Sequence, residues 1–144
     1  MMINCSRVIE IKDINAFEEK HSLTLPDYFK DLYLVCNGGE LEDERRIFCN
    51  DYYELDIDHF LPMVRDDIYN SYTIESLYNV LQDKHIIEPN YVPFAIDGGS
   101  FPFCINTTDN KVYYINTESN KTLYLADNFE QFISQLHTEE DIYN

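Results

Sequence analysis

The chain has 144 residues, 10 Lys and Arg against 27 Asp and Glu, and a formal net charge of −17. That length suits one domain with one core, and 44% hydrophobic with 15% aromatic residues excludes the aromatic-poor composition of a disordered acidic chain. The negative field repels phosphates, which disfavours direct binding to nucleic acid or to an anionic membrane and favours a cationic partner.

In chain order, Asp13 is placed to cap a first helix over about residues 14–21, with Ile14 and Phe17 on its buried side. Pro26 suits the first position of a second helix, whose apolar stripe is Phe29, Leu32, Tyr33 and Cys36 at i, i+3, i+4, i+7. Asn37 and Gly38 are expected to close it, since glycine readily takes the left-handed conformation past a helix end. The stretch 40–46 is too polar to bury. Ile47-Phe48-Cys49 and Tyr52-Tyr53-Glu54-Leu55 then read as a hairpin or meander around Asn50-Asp51. Ile74, Leu77, Tyr78 and Leu81 define a third helix, capped by Ser71 or Thr73.

From Tyr91 the period changes to two. Four short strands separated by turn clusters at Asp97-Gly98-Gly99, Thr107–Asn110 and Thr117–Asn120 form an antiparallel meander. Pro102 removes a ladder donor, so its strand is expected to lie at an edge or to carry a bulge. Asp127, with Glu130 three residues on, reads as the capping box of a last helix carrying Phe129, Phe132, Ile133 and Leu136. Residues 137–144 are expected to fray. The whole reads as one α+β domain over residues 1–144, with its core at about 10–136. It has a largely antiparallel sheet of about six strands and helices at the N-terminus, middle and C-terminus.

The four cysteines, Cys5, Cys36, Cys49 and Cys104, are widely spaced, and three lie in apolar stretches. They read as reduced packing residues rather than a disulfide framework or a metal cluster. The N-terminus lacks a basic segment followed by an apolar run, and no run of about 18 apolar residues occurs, so a cytoplasmic location is expected. Asp56-Ile57-Asp58-His59 could be read as a metal-binding fragment, but no second ligand set follows it. His21, His59, His85 and His137 have no Ser or Cys partner in a nucleophile motif, and Asp97-Gly98-Gly99 lacks the Lys and following helix of a phosphate loop. No catalytic residue, metal or cofactor is expected.

Four segments in order carry a resemblance: Leu25-Pro26-Asp27-Tyr28-Phe29; Asn37-Gly38-Gly39; Val92-Pro93-Phe94-Ala95-Ile96-Asp97-Gly98-Gly99; and the helix from Asp127 to Leu136. Over about residues 10–136 the chain resembles the SUKH superfamily, the Smi/Knr-type domains, with Pro26, Asn37, Gly38, Gly39, Pro93, Asp97, Gly98 and Gly99 as its structural motif residues. It departs from the usual pattern in having no Trp and in reading Ser100-Phe101-Pro102-Phe103 after the second double glycine. The resemblance implies a non-enzymatic binding protein. Bacterial members are similar to immunity proteins of polymorphic or contact-dependent toxin systems, of the toxin-antitoxin kind, which cover a toxin that is commonly a nuclease. Fungal members resemble regulators of cell-wall synthesis acting through protein contacts, which gives the alternative of a regulatory interaction domain for cell-wall or metabolic proteins.

The charge pattern places the recognition surface. Residues 38–70 hold ten acidic side chains against three arginines. Glu40, Glu42, Asp43, Glu44, Asp51, Tyr52, Tyr53, Glu54, Asp56 and Asp58, with Asp66 and Asp67 at the rim, are the candidate contacts to a cationic toxin domain, because desolvated carboxylates opposite Arg and tyrosine anchors carry much of the affinity of such interfaces.

Overall fold

A computed structural model describes residues 2–64 and 72–143. In chain order these form β1 (Met2–Ile3), α1 (Ile11–His21), α2 (Asp27–Val35), β2 (Glu40–Leu41), a 3₁₀ turn (Glu42–Glu44), β3 (Ile47–Cys49), β4 (Glu54–Asp56), β5 (His59–Phe60), α3 (Ile74–Asp83), β6 (Tyr91–Ile96), β7 (Pro102–Asn106), β8 (Val112–Asn116), β9 (Lys121–Ala126), α4 (Phe129–Ser134), β10 (Leu136–His137) and α5 (Glu139–Tyr143). All the strand pairings are antiparallel: β1 with β2, a three-stranded sheet β10-β3-β4, and a five-stranded sheet β5-β6-β7-β8-β9. This is the expected α+β domain. The four-strand meander is extended by β5, and further two- and three-residue strands pair outside it.

The aromatic residues form the centre. Phe94 meets Phe29, Phe129 and Phe132 in edge-to-face contacts at centroid distances of 6.3, 5.2 and 5.3 Å, the arrangement that ring quadrupoles favour. Phe29 and Phe129 come from α2 and α4, so these rings clamp both helices onto β6. Tyr33 is fully buried, and its hydroxyl donates to Leu61 O at 2.7 Å and reaches Phe94 O at 3.3 Å. Burial raises its pKa well above the ordinary phenol value.

Helix ends differ from the sequence expectation in instructive ways. α1 starts three residues early, with Glu10 as N-cap and Asp13 at N3 accepting the Glu10 N–H at 2.8 Å, so Asp13 closes a capping box from inside the helix. α2 begins after Pro26 but ends at Val35, with Cys36 extended; Gly38 takes φ +78° two residues beyond. Thr73, not Ser71, caps α3, in a reciprocal pair with Ser76. Ser71 lies outside the described residues. At α4 the cap is Asn128, one residue after Asp127, because its side chain accepts Gln131 N–H at 2.8 Å while Gln131 Oε1 accepts Asp127 N–H.

Two further expectations are corrected. Pro102 does not mark an edge: β7 is central, and Pro102 is tolerated as its first residue, while the bulge lies opposite, between Pro93 and Ala95 of β6. Cys5 and Cys36 are joined in a disulfide, with Cα atoms 5.3 Å apart, so only Cys49 and Cys104 are free among the described residues. Widely spaced positions in sequence gave no hint that the segment after β1 returns to the end of α2.

Candidate functional site

The glycine motifs serve the fold. Asn37 is 1% exposed and bridges three segments: its Nδ2 donates to Arg7 O at 3.0 Å and Val64 O at 2.7 Å, and its Oδ1 accepts Met63 N–H at 2.7 Å. Gly38 and Gly39 follow with positive φ, and a Cβ would lie 2.6 Å from Pro62 N at the first and 2.3 Å from Ile3 O at the second. In the second motif Asp97 Oδ1 accepts from Gly99 N and Phe101 N at 2.9 Å, and Oδ2 accepts from Tyr114 hydroxyl at 2.5 Å. Burial and this carboxylate together raise the Tyr114 pKa.

Around these corners the chain leaves an open cleft of about 710 Å³ at the junction of the two larger sheets. Its floor and walls come from five places. The 3₁₀ turn supplies Asp43 and Glu44, and β3 with the residue before it supplies Arg46 and Ile47. The end of β4 and its continuation supply Asp56, Ile57 and Asp58, the β6–β7 turn supplies Gly98, and the C-terminal segment supplies Thr138, Glu139, Glu140 and Tyr143. Backbone pairing sets the arrangement. Ile47 pairs with Asp56 on one side and His137 on the other, Ile57 N–H donates to Arg46 O at 2.7 Å, and Asp58 N–H donates to Ile96 O at 2.8 Å, which links the small sheet to the large one.

Six carboxylates therefore face the cleft against one guanidinium, that of Arg46. All six acidic residues are exposed, so their field reaches solvent. Asp43 and Glu44 stand consecutively at φ +62° and +56°. Non-glycine residues cost roughly 1–2 kcal/mol each in that region, a local strain of the kind that often accompanies recognition sites.

Of the sequence candidates, Asp43, Glu44, Asp56 and Asp58 line the cleft. Glu54 lies next to it in β4 and accepts a hydrogen bond from Tyr143 hydroxyl at 2.8 Å, which raises the pKa of that tyrosine. Asp51, Tyr52 and Tyr53 form the tip of the β3–β4 hairpin, where Asn50 Oδ1 accepts the backbone N–H of both tyrosines, and Tyr52 is 84% exposed. Glu40 accepts from Asn4 Nδ2 at 3.3 Å, and neither it nor Glu42 lines the cleft. Asp66 and Asp67 lie outside the described residues.

Sequence reasoning missed Glu139, Glu140 and Tyr143. In place of a frayed tail the chain forms α5, held by a reciprocal pair in which Asp141 Oδ2 accepts Thr138 N–H and Thr138 Oγ1 accepts Asp141 N–H. The signal was present as Thr138-Glu139-Glu140-Asp141, a capping-box pattern. His59 Nδ1 lies 2.6 Å from Asp58 Oδ2, but no group of three or more metal-ligating side chains converges among the described residues, so the Asp56-Ile57-Asp58-His59 reading gains no geometry.

Among the described residues, no helix is long and apolar enough to cross a membrane. No curated protein matches the chain. The family model described as the SMI1 / KNR4 family (SUKH-1) matches residues 9–135, a span that contains the aromatic core and both glycine corners. The chain belongs to the SMI1 / KNR4 family (SUKH-1).

Proposed function

We propose that this protein is a non-catalytic, acidic binder that neutralises a toxin by covering the toxin's basic cleft. The observation that carries this reading is the concave site of about 710 Å³ with six carboxylates and one arginine on its walls. A nuclease must hold a polyanion and so presents Lys and Arg where the substrate lies. An acidic concavity then meets a field already in place, which speeds encounter and disfavours neutral or acidic partners. Once docked, Arg side chains of the toxin pair with Asp43, Glu44, Asp56 or Asp58, and Tyr143 on the cleft wall supplies rigid apolar contact, with Tyr52 at the hairpin tip as a further exposed anchor. Membership in the family supports a binding role, and the charge of the cleft supports a cationic partner.

The test is co-expression and co-purification with the product of an adjacent reading frame encoding a basic nuclease domain. Formation of a complex with loss of nuclease activity, both abolished by Asp56→Lys with Asp58→Lys, is the expected result. Undiminished nuclease activity in a saturated mixture, or a complex indifferent to the double substitution, would refute it and favour the regulatory alternative.

A further inference from the structure

The segment from Met2 to Arg7 is fastened along its length to residues 36–41. Met2 pairs with Leu41 and Ile3 with Glu40, Asn4 Nδ2 donates to Glu40 Oε2, Ser6 N–H donates to Asn37 O at 3.2 Å, and Arg7 O accepts from Asn37 Nδ2. Ile3 O lies so close to Gly39 that no side chain fits between them. The covalent member of this set is the Cys5–Cys36 disulfide. Its ends are unequal, because Cys5 is exposed while Cys36 is 2% exposed in the core. Leu41, paired with Met2, is also the residue from which the Glu42–Glu44 turn starts, so the N-terminal arm supports the strained lip of the cleft.

We propose that Cys5–Cys36 is a reversible thiol–disulfide exchange site for a dithiol reductant, and that its oxidation state decides whether the arm stays docked and holds the Glu42–Glu44 turn in place. The more exposed of the two cysteines, Cys5, sets the order of events. One thiolate of the dithiol attacks Cys5 Sγ, forming a mixed disulfide there as the Cys5–Cys36 bond breaks. The electron pair leaves on Cys36 Sγ, which takes a proton from water. The second thiol of the reductant loses its proton, attacks the reductant's own sulfur in the mixed disulfide, and releases Cys5, which is protonated in turn. The net change is two cysteine thiols formed and the dithiol oxidised to its cyclic disulfide, and an oxidised dithiol reverses it. Cys104 takes no part, since it is wholly buried and burial raises its thiol pKa. This inference concerns the docking of the arm and stands or falls independently of the partner's identity.

The experiment uses the full chain in buffers of reduced or oxidised dithiothreitol, with alkylation mapping and amide hydrogen exchange. Reduction is expected to make Cys5 and Cys36 alkylatable together and to raise exchange at residues 2–7 and 36–44 at least tenfold, with β6, β7 and β8 changing less than twofold. Glutathione disulfide added to the reduced protein is expected to be attacked first by Cys5, forming a mixed disulfide there and releasing one glutathione thiol. Cys5→Ser should show the fast exchange in both buffers. Equal exchange of the parent chain in the two buffers would overturn the proposal. So would a rise throughout β6–β8, which reports global unfolding rather than release of the arm, or a Cys5→Ser chain that still responds to reductant. The parent chain alone decides the first two outcomes, so the test survives if the variant does not fold.

Discussion

Asn37→Asp replaces one atom group by another of nearly equal size and inverts its chemistry. The lost amide N–H groups leave Arg7 O and Val64 O, now 3.0 and 2.7 Å from the nitrogen, facing a carboxylate oxygen instead of a donor. The site is 1% exposed, so water cannot substitute freely. Two buried acceptors left without donors cost about 1–3 kcal/mol each, and more beside a charge, so the variant should lose about 3–6 kcal/mol at neutral pH, a large part of the 5–15 kcal/mol typical of a domain. In Tm this is a fall on the order of 10 °C. The penalty has a pH signature. Burial and the opposing carbonyls raise the folded pKa of the new carboxyl above its unfolded value near 3.9. The destabilisation is therefore complete above the raised folded value and fades as pH falls toward the unfolded one, because the protonated acid can again donate to one carbonyl. Urea unfolding of both chains at about pH 7 and about pH 4.5 measures it, at denaturant midpoints converted through m. A loss under about 1 kcal/mol at neutral pH, or a loss of equal size at both pH values, would refute the assignment of Asn37 as a buried strut.

Gly38→Val should abolish soluble expression, since its Cβ would meet the Leu61–Pro62 backbone within 2.9 Å at a positive φ, whereas Gly98→Ala, with nothing within 4 Å of the added carbon, should leave unfolding within about 0.5 kcal/mol of the parent. Glu44→Lys with Asp56→Lys should slow association with a basic partner about tenfold in stopped-flow measurements and flatten the salt dependence of the rate, with little change in Tm. Glu75 is pushed up by burial but held below its ordinary value by hydrogen bonds from His21 and Lys20 and by their charge. Its stabilisation is present above the unfolded carboxylate value and is lost as pH falls through the lowered folded one. Glu75→Gln should accordingly lose less stability than the parent between about pH 5 and pH 3, read by thermal melts across that range.

What could be read in advance was what local chemistry dictates. The stripe of Phe29 and Tyr33, the helix from Ile74 to Leu81 and the alternation of Phe103 and Ile105 each reveal an element because burial repeats with its period. Cap positions shifted by one to three residues where two polar side chains compete, as with Asp127 and Asn128. Long-range partnerships were invisible. Nothing in Ile47 or Leu136 announces that β3 pairs with β10, and nothing in Cys5 announces Cys36. The candidate site divided in the same way. Acidic density between residues 38 and 70 pointed to one wall of the cleft, while the opposite wall, Glu139, Glu140 and Tyr143, arrives from about eighty residues further along through that same β3–β10 pairing.

The pairing of β3 with β10 also sets a schedule. During synthesis the strand Ile47–Cys49 emerges long before Leu136–His137, and the edge that β10 pairs with stays open until that later strand has left the ribosome. The cleft thus cannot close before that segment arrives, and ribosome-stalled or prematurely terminated products that end before Leu136 would be born without it.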